Sequence, residues 1–319
     1  MKCTSNGIPI LEFDAIGSTN AEAMRLGLAG ATAPLWVRAN RQTAGRGRSG
    51  RAWTSEPGNH YASLLLHLTC PPTIIHHLSF VAAVAVVAAI RRVVADFASS
   101  GASEIVSKAP STVPNLWRLR TRRTSSPQGE RTNPQAAVGM PSPLGEKVAE
   151  GRMRGPSSPQ APLPLRLKWP NDILLDGAKL VGILPESTQR SDRTMLAVIG
   201  IGINLAHAPD QLGRATTCLA AHNVSVSPAT MLDALAVEMA AKLATWNMGG
   251  DFDTIRERWL SDALPMGTAM TINTGSDLVE GKFAGLDYDG ALILRDHSGY
   301  DRRMTFGDVT VNAAERGRG

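Results

Sequence analysis

The chain has 319 residues, 43% of them hydrophobic, and a formal net charge of +5 at pH 7. That length supports a sizeable core and more than one domain, and the apolar content excludes a chain that stays unfolded for want of surface to bury. Three scattered cysteines, Cys3, Cys70 and Cys218, exclude a disulfide scaffold, and none of the seven histidines forms an H-x-x-x-H or Cys/His cluster, so no protein-held metal is expected.

No charged-then-apolar leader is read at the start, so a cytoplasmic protein is expected. A strand begins at residues 11–13. Thr19-Asn20-Ala21-Glu22 has the T-x-x-E form of a capping box and predicts a helix through Met24 and Leu28. Capping alone accounts for Ser18, Thr19 and Asn20 at this level. Residues 35–39 read as a strand feeding the stretch RQTAGRGRSGRAW at residues 41–53, and residues 61–68 as the strand leaving it.

That stretch holds Gly45, Gly47 and Gly50 among Arg41, Arg46, Arg48 and Arg51. Glycines let the backbone lie close to a ligand, and each guanidinium presents a planar fork of donors to phosphate or carboxylate oxygens. The composition is that of an anion clamp. The glycines also spell G-x-G-x-x-G, but a dinucleotide fold needs a helix opening on the last glycine, and Pro57 and Gly58 forbid one. Downstream, Pro71-Pro72-Thr73 opens a long helix with apolar positions from Ile74 to Phe97. Its apolar run, residues 78–90, is too short to span a bilayer and ends in Arg91 and Arg92, so the helix belongs to a core.

Composition then changes. Residues 104–164 hold ten of the twenty prolines, with nine Lys/Arg against four Asp/Glu, which leaves 24 basic and 24 acidic residues elsewhere. The net charge therefore belongs to this segment, and no general basic surplus remains for a nucleic-acid face. Its piece PSPLGEKVAEGRMRG resembles translated palindromic repeat elements. Lacking apolar periodicity, the segment reads as a largely disordered surface insertion. The alternative is an RNA-binding or partner-binding arm using Trp117, Arg118, Arg120, Arg122 and Arg123.

Residues 165–169 resume the domain as a strand, and Pro170-Asn171-Asp172 turns it into residues 173–175. Asp176-Gly177 is a hairpin signal returning through residues 180–185, and residues 195–205 form another apolar, glycine-containing strand. Residues 228–246, with Ser227 as cap, and 252–260 read as helices. From Pro265 on, short alternating strands at 269–273, 278–286, 291–295, 303–306 and 309–311 predict a small β-barrel. Gly275 to Lys282 imitates a P-loop but carries five residues between its glycines and Phe283 where Ser or Thr should stand.

Five motifs follow one another in order: GSTN at 17–20, GRGRSGR at 45–51, KWPND at 168–172, GAKLVGILPES at 177–187 and IGIGINL at 199–205. In order and wording they resemble the biotin–protein ligase family, over nearly the whole chain except the internal segment. The resemblance implies an α+β fold, a mixed sheet flanked by helices, with a small C-terminal barrel. It divides the chain into a catalytic domain at 1–262, interrupted by the insertion 104–164, and a C-terminal domain at 263–319. Some members carry an N-terminal winged helix that reads DNA. Ten residues before the first strand leave no room for one here, so no specific DNA binding is expected, and no membrane partner.

The implied reaction joins the biotin carboxylate to the α-phosphate of ATP, releasing pyrophosphate, and then passes biotin to a lysine of a biotin carboxyl carrier domain. Bringing a carboxylate to a polyphosphate is opposed by repulsion between anions. Lys168, Arg48 and Arg51 are the implied catalytic groups. Ser18, Thr19, Asn20, Gln42, Arg46, Gly47, Arg48 and Lys168 are implied at biotin, and Gly45, Arg46, Arg48, Arg51, Trp53 and Asn204 at ATP. Trp53 suits adenine stacking and a core position equally. Magnesium is expected to arrive with ATP. Asn171 and Asp172 read either as turn residues or, for Asp172, as a candidate base toward the acceptor lysine. A lipoate–protein ligase and a non-enzymatic nucleic-acid-binding regulator are the two alternative readings.

Overall fold

The computed structural model describes residues 2–100, 163–209 and 215–312. Its strands are β1 (Lys2–Cys3), β2 (Pro9–Ile16), β3 (Leu35–Gln42), β4 (His60–Leu68), β5 (Leu165–Lys168), β6 (Asp172–Leu175), β7 (Ala178–Gln189), β8 (Met195–Ile203), β9 (Ala269–Asn273), β10 (Leu278–Leu286), β11 (Leu292–Arg295), β12 (Asp301–Met304) and β13 (Asp308–Val311). The helices are α1 (Thr19–Leu28), α2 (His77–Ser100), α3 (Pro228–Trp246) and α4 (Phe252–Ser261).

Eight strands form one mixed sheet in the order β1-β2-β3-β4-β8-β7-β6-β5, in which β2 and β3 are parallel and every other pair antiparallel. Side-chain alternation divides each central strand between two cores. Trp36, Leu64, Leu66, Ala197, Ile199 and Ile201 join the larger core with α2, α3 and α4, while Leu35, Val37, Leu65, Leu196 and Val198 join a smaller one under α1. Asp176 and Gly177, both at positive φ, make the tight turn between β6 and β7 that the Asp-Gly pair predicts. A second sheet, β12-β11-β10-β9-β13, is antiparallel throughout and packs against α4 through β10. The α+β architecture agrees with expectation. The expected barrel is an antiparallel sheet with no β12–β13 ladder to close it among the described residues.

The helix α2 passes a length and hydropathy test for a membrane span, with mean hydropathy 2.1 over its apolar window, yet 67% of that window is buried inside the protein. It packs on α3, α4 and the sheet, as a helix apolar all round must in a folded core. Its α-helical start is His77 rather than Thr73. Pro71 and Pro72 lack N–H groups, and the chain turns first through a short 3-10 turn with Ile74 donating to the Pro71 carbonyl. Ser18, not Thr19, caps α1: the Ala21 N–H donates to its hydroxyl at 3.4 Å. Strand β3 runs on to Gln42, and β12 lies two residues before its expected place. Of the expected insertion 104–164, residues 104–162 lie outside the described residues. Leu163 already packs on the larger core.

Two buried imidazoles tie these layers together. His60, fully buried at the start of β4, donates from Nδ1 to the Pro228 carbonyl at the start of α3, 3.4 Å away. His77 stacks on Phe252 at 3.6 Å and accepts from Trp246 Nε1 at 3.2 Å. Burial pushes His60 down to about 4, the Pro228 carbonyl opposing it, and burial with the neighbouring His76 brings His77 also to about 4. Unfolded histidine protonates near 6.5, so between pH 6.5 and 4 the unfolded chain binds more protons than the folded one. Stability therefore falls on acidification through that window, by up to about 3 kcal/mol for His60. Thermal melting across pH 4 to 7 checks this, and His60→Asn is expected to flatten the slope.

Candidate active site

On β8 the residues turned toward α1 are, in order, Leu196, Val198, Gly200 and Gly202. Apolar side chains fill the space under α1, and beyond its first turn the side chains stop. Gly182 of β7 lies opposite Gly202, and Ser63 of β4 opposite Gly200. These glycines form the floor of a cavity of about 810 Å³. A Cβ on Gly200 would stand 2.1 Å from Asn20 Oδ1, and one on Gly182 or Gly202 would meet the Trp53 ring at 2.6 or 2.7 Å. Asn20 and Trp53 thus lie directly on bare backbone.

Over β4 and β8 the lining side chains Ser18, Thr19, Asn20 and Gln42 are polar and uncharged, backed by Ser55, Ser63 and Glu186 from outside the lining. The Gln42 carbonyl oxygen accepts from the Thr19 N–H at 2.8 Å and the Thr19 hydroxyl at 3.1 Å, and its amide donates to Ser55 Oγ at 3.1 Å. The Ser63 hydroxyl lies 2.6 Å from Asn20 Oδ1 and 2.8 Å from Thr19 Oγ1. Asn20 donates to the Leu184 carbonyl at 3.0 Å and to Glu186 Oε2 at 2.7 Å. Because Ser18 holds the cap, Thr19 and Asn20 have their side chains free for this network.

The arginine loop closes at its neck by a bridge between Arg46 and Ala52, with the Trp53 N–H donating to the Gly45 carbonyl at 2.9 Å. A Cβ on Gly45 would sit 2.5 Å from the Trp53 carbonyl oxygen, so only glycine permits this neck. Its tip turns through Ser49 and Gly50, both at positive φ. Arg46 pairs with Glu186 at 3.5 Å. Arg48 donates to Asn171 Oδ1 at 3.3 Å and to the Gly307 carbonyl at 3.2 Å, and Arg51 pairs with Asp308. Lys168 donates to the Val309 carbonyl at 3.0 Å. Three cationic side chains, Arg48 and Arg51 of the loop and Lys168 at the end of β5, are thus held by residues just before and within β13 of the second sheet.

Asp172 is neither an exposed turn residue nor a free base. It opens β6, is 7% exposed, and holds Lys168 Nζ at 3.0 Å on Oδ2 while Lys179 of β7 occupies Oδ1. Burial raises its pKa, but Lys179 and Lys168 outweigh that and hold the carboxyl below the usual carboxylate range. Lys179 also stands 5.4 Å over the Trp53 ring.

Of the site residues read from the motifs, Ser18, Thr19, Asn20, Gln42, Arg46, Gly47, Arg48, Arg51, Trp53 and Lys168 line this one cavity. Gly45 shapes the loop neck behind it. Asn204 is buried outside the lining, its amide donating to the Thr217 carbonyl at 3.0 Å, and so fixes the chain after β8. Trp53 packs on the glycine floor and lines the cavity at once, with no hydrogen-bond partner on Nε1. Motif reading missed Lys179, Ser63, Glu186 and Asp308. Lys179 and Glu186 stood inside GAKLVGILPES; Ser63 and Asp308 had no local signal. Among the described residues no cluster of His, Cys, Asp and Glu could hold a metal ion.

The model of the Biotin/lipoate A/B protein ligase family matches residues 13–118 and 150–204. A biotin--[acetyl-CoA-carboxylase] ligase of Paracoccus denitrificans is 32% identical over 88% of this chain and 92% of its own length. The bifunctional ligase/repressor BirA of Bacillus subtilis is 28% identical over 94% of this chain and 73% of its own. Among solved structures, the biotin protein ligase of Aquifex aeolicus in complex with biotin and ATP superposes with a TM-score of 0.63, covering 95% of this chain and 98% of that one at 19% identity, which establishes likeness of fold.

The glycine floor makes a direct prediction. Gly200→Ala is expected to push Asn20 off Ser63 and Glu186 and to lower stability by about 1 to 3 kcal/mol, the usual cost of overpacking. The denaturant midpoint measures it, and an unchanged midpoint would show that Asn20 has room the geometry denies.

Proposed function

Because the chain belongs to the biotin/lipoate A/B protein ligase family, we propose that it activates biotin with ATP to biotinyl-5′-adenylate and transfers biotin to a lysine of a biotin carboxyl carrier domain. The observation that carries this reading is that uncharged hydrogen-bonding groups and a cluster of cations face one cavity over one glycine floor. A neutral, bidentate head group and an anionic tail need those two halves. The first half is Thr19, Asn20 and Gln42, with Ser63 holding Thr19 and Asn20 from behind the lining. The second is Lys168, Arg48 and Arg51, with Arg46 at its border.

In the first step a biotin carboxylate oxygen forms a bond to the α-phosphorus, and the bond from that phosphorus to the bridging oxygen of pyrophosphate breaks. Two anions must meet, and negative charge grows on the leaving oxygen. Lys168 and Arg48 are placed to offset the first effect: Arg48 is held by an amide and a backbone carbonyl that an anion can replace, and Lys168 by the Val309 carbonyl and the Asp172 carboxylate it shares with Lys179. Arg51 serves the leaving group, exchanging Asp308 for phosphate. Trp53 stacks on the adenine, and Gly45 and Asn204 support the adenylate pocket from behind rather than lining it. Magnesium is proposed to enter with ATP, since that ion keeps its waters and prefers phosphate oxygens to a protein cage.

In the second step the acceptor amine attacks the acyl carbon of the mixed anhydride and AMP leaves with the bonding pair. Asp172 is not proposed as base, because both its oxygens hold ammonium groups. The proposed domains are 1–262 and 263–319, the second contributing β13 to the site. The protein is proposed to be cytoplasmic and to lack sequence-specific DNA binding, as the balanced charge outside residues 104–164 supports.

Lys168→Ala and Arg48→Ala are each expected to slow biotin-dependent pyrophosphate release by two to three orders of magnitude, roughly the loss on removing one transition-state donor. Folding should survive, because Asp172 keeps Lys179. A folded Lys168→Ala protein with wild-type turnover would remove that residue from the reaction. For substrate class, biotin and lipoate are offered in parallel with ATP and a carrier domain. Transfer of biotin alone is expected, and transfer of lipoate alone would favour the lipoate-ligase reading.

A further inference from the structure

We propose that Arg91 of α2 and Asp262, the residue that follows α4, are positioning residues for Lys168: together they fix the strand that carries it against the second sheet that completes the site. The inference rests on the biotin-activating role of Lys168 proposed above. Lys168 ends β5, which is only four residues long and stands at the edge of the first sheet beside β6. The chain joining α2 to β5 runs from 101 to 164, so no short connection dictates where this strand lies. Its outer edge is instead covered by the chain that leaves α4. Leu167 donates its N–H to the Asp262 carbonyl at 2.7 Å and accepts from the Leu264 N–H at 3.0 Å, a parallel bridge centred on Ala263. Both bonds fall on the residue immediately before Lys168.

Asp262 is anchored from its other side by α2. Its carboxylate, in a residue 7% exposed, accepts from Arg91 Nη1 on Oδ2 at 3.0 Å and from Arg91 Nη2 on Oδ1 at 2.6 Å. A guanidinium bound through two N–H groups fixes direction as well as distance, which a single contact does not. As a source of stability alone such a pair is weak, because desolvation of a buried carboxylate cancels most of the attraction. What the fork supplies is geometry. Beyond Ala263 the chain enters β9 at Ala269, β9 pairs with β13, and β13 returns the Val309 carbonyl to Lys168. The path from Leu167 through Ala263, β9 and β13 back to Lys168 is therefore a closed ring, and Arg91 pins that ring to α2. Trp169, which lines the cavity, is tied to the same sheet through its indole N–H, 3.1 Å from the Gly290 carbonyl. A displacement of about 1 Å at a reacting group can lower a rate by up to about 100-fold, so the placing of Lys168 matters as much as its charge.

The test loosens the fork without emptying it. Asp262→Asn keeps the shape and the backbone carbonyl but leaves Arg91 a single acceptor, and Arg91→Lys keeps the charge but cannot span both oxygens. Biotin-dependent pyrophosphate release, biotin KM and melting temperature are measured for each on the full chain. Asp262→Asn is expected to lower kcat about tenfold with biotin KM changed less than about threefold, the split of a group misplaced in the transition state. Placed in Lys168→Ala, where no ammonium is left to position, the same substitution is expected to lower kcat by less than a further threefold or so. A tenfold loss repeated in full on that background would show the pair acting elsewhere and overturn the proposal, as would a lowered melting temperature with turnover unchanged. If Asp262→Asn does not fold, Arg91→Lys is read through the same comparison, and failure of both to fold would assign the pair a structural role and overturn the proposal. Absence of biotin-dependent pyrophosphate release from the wild type would overturn the functional reading itself, and this inference with it.

Discussion

A sheet covered on both faces has no room for a ligand unless one face loses its side chains. Here that constraint is met by three glycines, Gly182, Gly200 and Gly202, on adjacent strands and on the α1 side of the sheet. Every other feature of the site depends on them. Asn20 and Trp53 can lie flat on the backbone only because no Cβ stands beneath them, and the polar network to Ser63, Gln42 and Glu186 follows from where Asn20 is allowed to sit. The opposite face of the same strands pays no such cost: Ile199, Ile201 and Ile203 remain packed in the larger core, so the floor is rigid although it is bare.

Charge is handled by pairing each cation weakly rather than leaving it naked. Arg48 shares its donors between a side-chain amide and a backbone carbonyl, Arg51 rests on a half-buried aspartate, and Lys168 divides itself between Asp172 and the Val309 carbonyl. The carbonyl and amide partners are ones that a phosphate or carboxylate outcompetes, because charge-assisted bonds to an anion exceed bonds to neutral carbonyls, whereas Asp308 and Asp172 are anions that such a ligand must replace like for like. The site therefore stays ordered without committing its positive charge internally. Asp172 is the exception, a buried anion with a depressed pKa that stays ionised at neutral pH.

Much of this was legible in the sequence. The central strands follow from short apolar runs bounded by turn residues, α2 from its uninterrupted apolar stretch, the β6–β7 turn from Asp-Gly, and the anion-binding loop from its alternation of glycine and arginine. What escaped is of two kinds. Local rules chose between near-equivalent neighbours and chose wrongly, as at Ser18 against Thr19, where the capping box competed with the demand of Gln42 for the Thr19 hydroxyl. Other features exist only after the chain folds back on itself. The face that Lys179 presents is set by a bulge that no short window contains, and Asp308 meets Arg51 across more than 250 positions of sequence. Asn204 reads as a ligand contact from its motif; in the structure its amide donates to the Thr217 carbonyl, outside the cavity lining.

Lys168 and Arg48 are anchored on the second sheet through main-chain carbonyls, those of Val309 and Gly307. A carbonyl does not change identity when its side chain is exchanged, so residue 309 can drift through other apolar side chains while the anchorage persists. Its dependence is on length and not on lettering: a single residue gained or lost between β12 and β13 would slide the Val309 carbonyl out of reach of Lys168. Descendants of this sequence would thus be free to vary in composition there and held to a constant spacing, a restraint visible in the gaps of a family rather than in its matched letters.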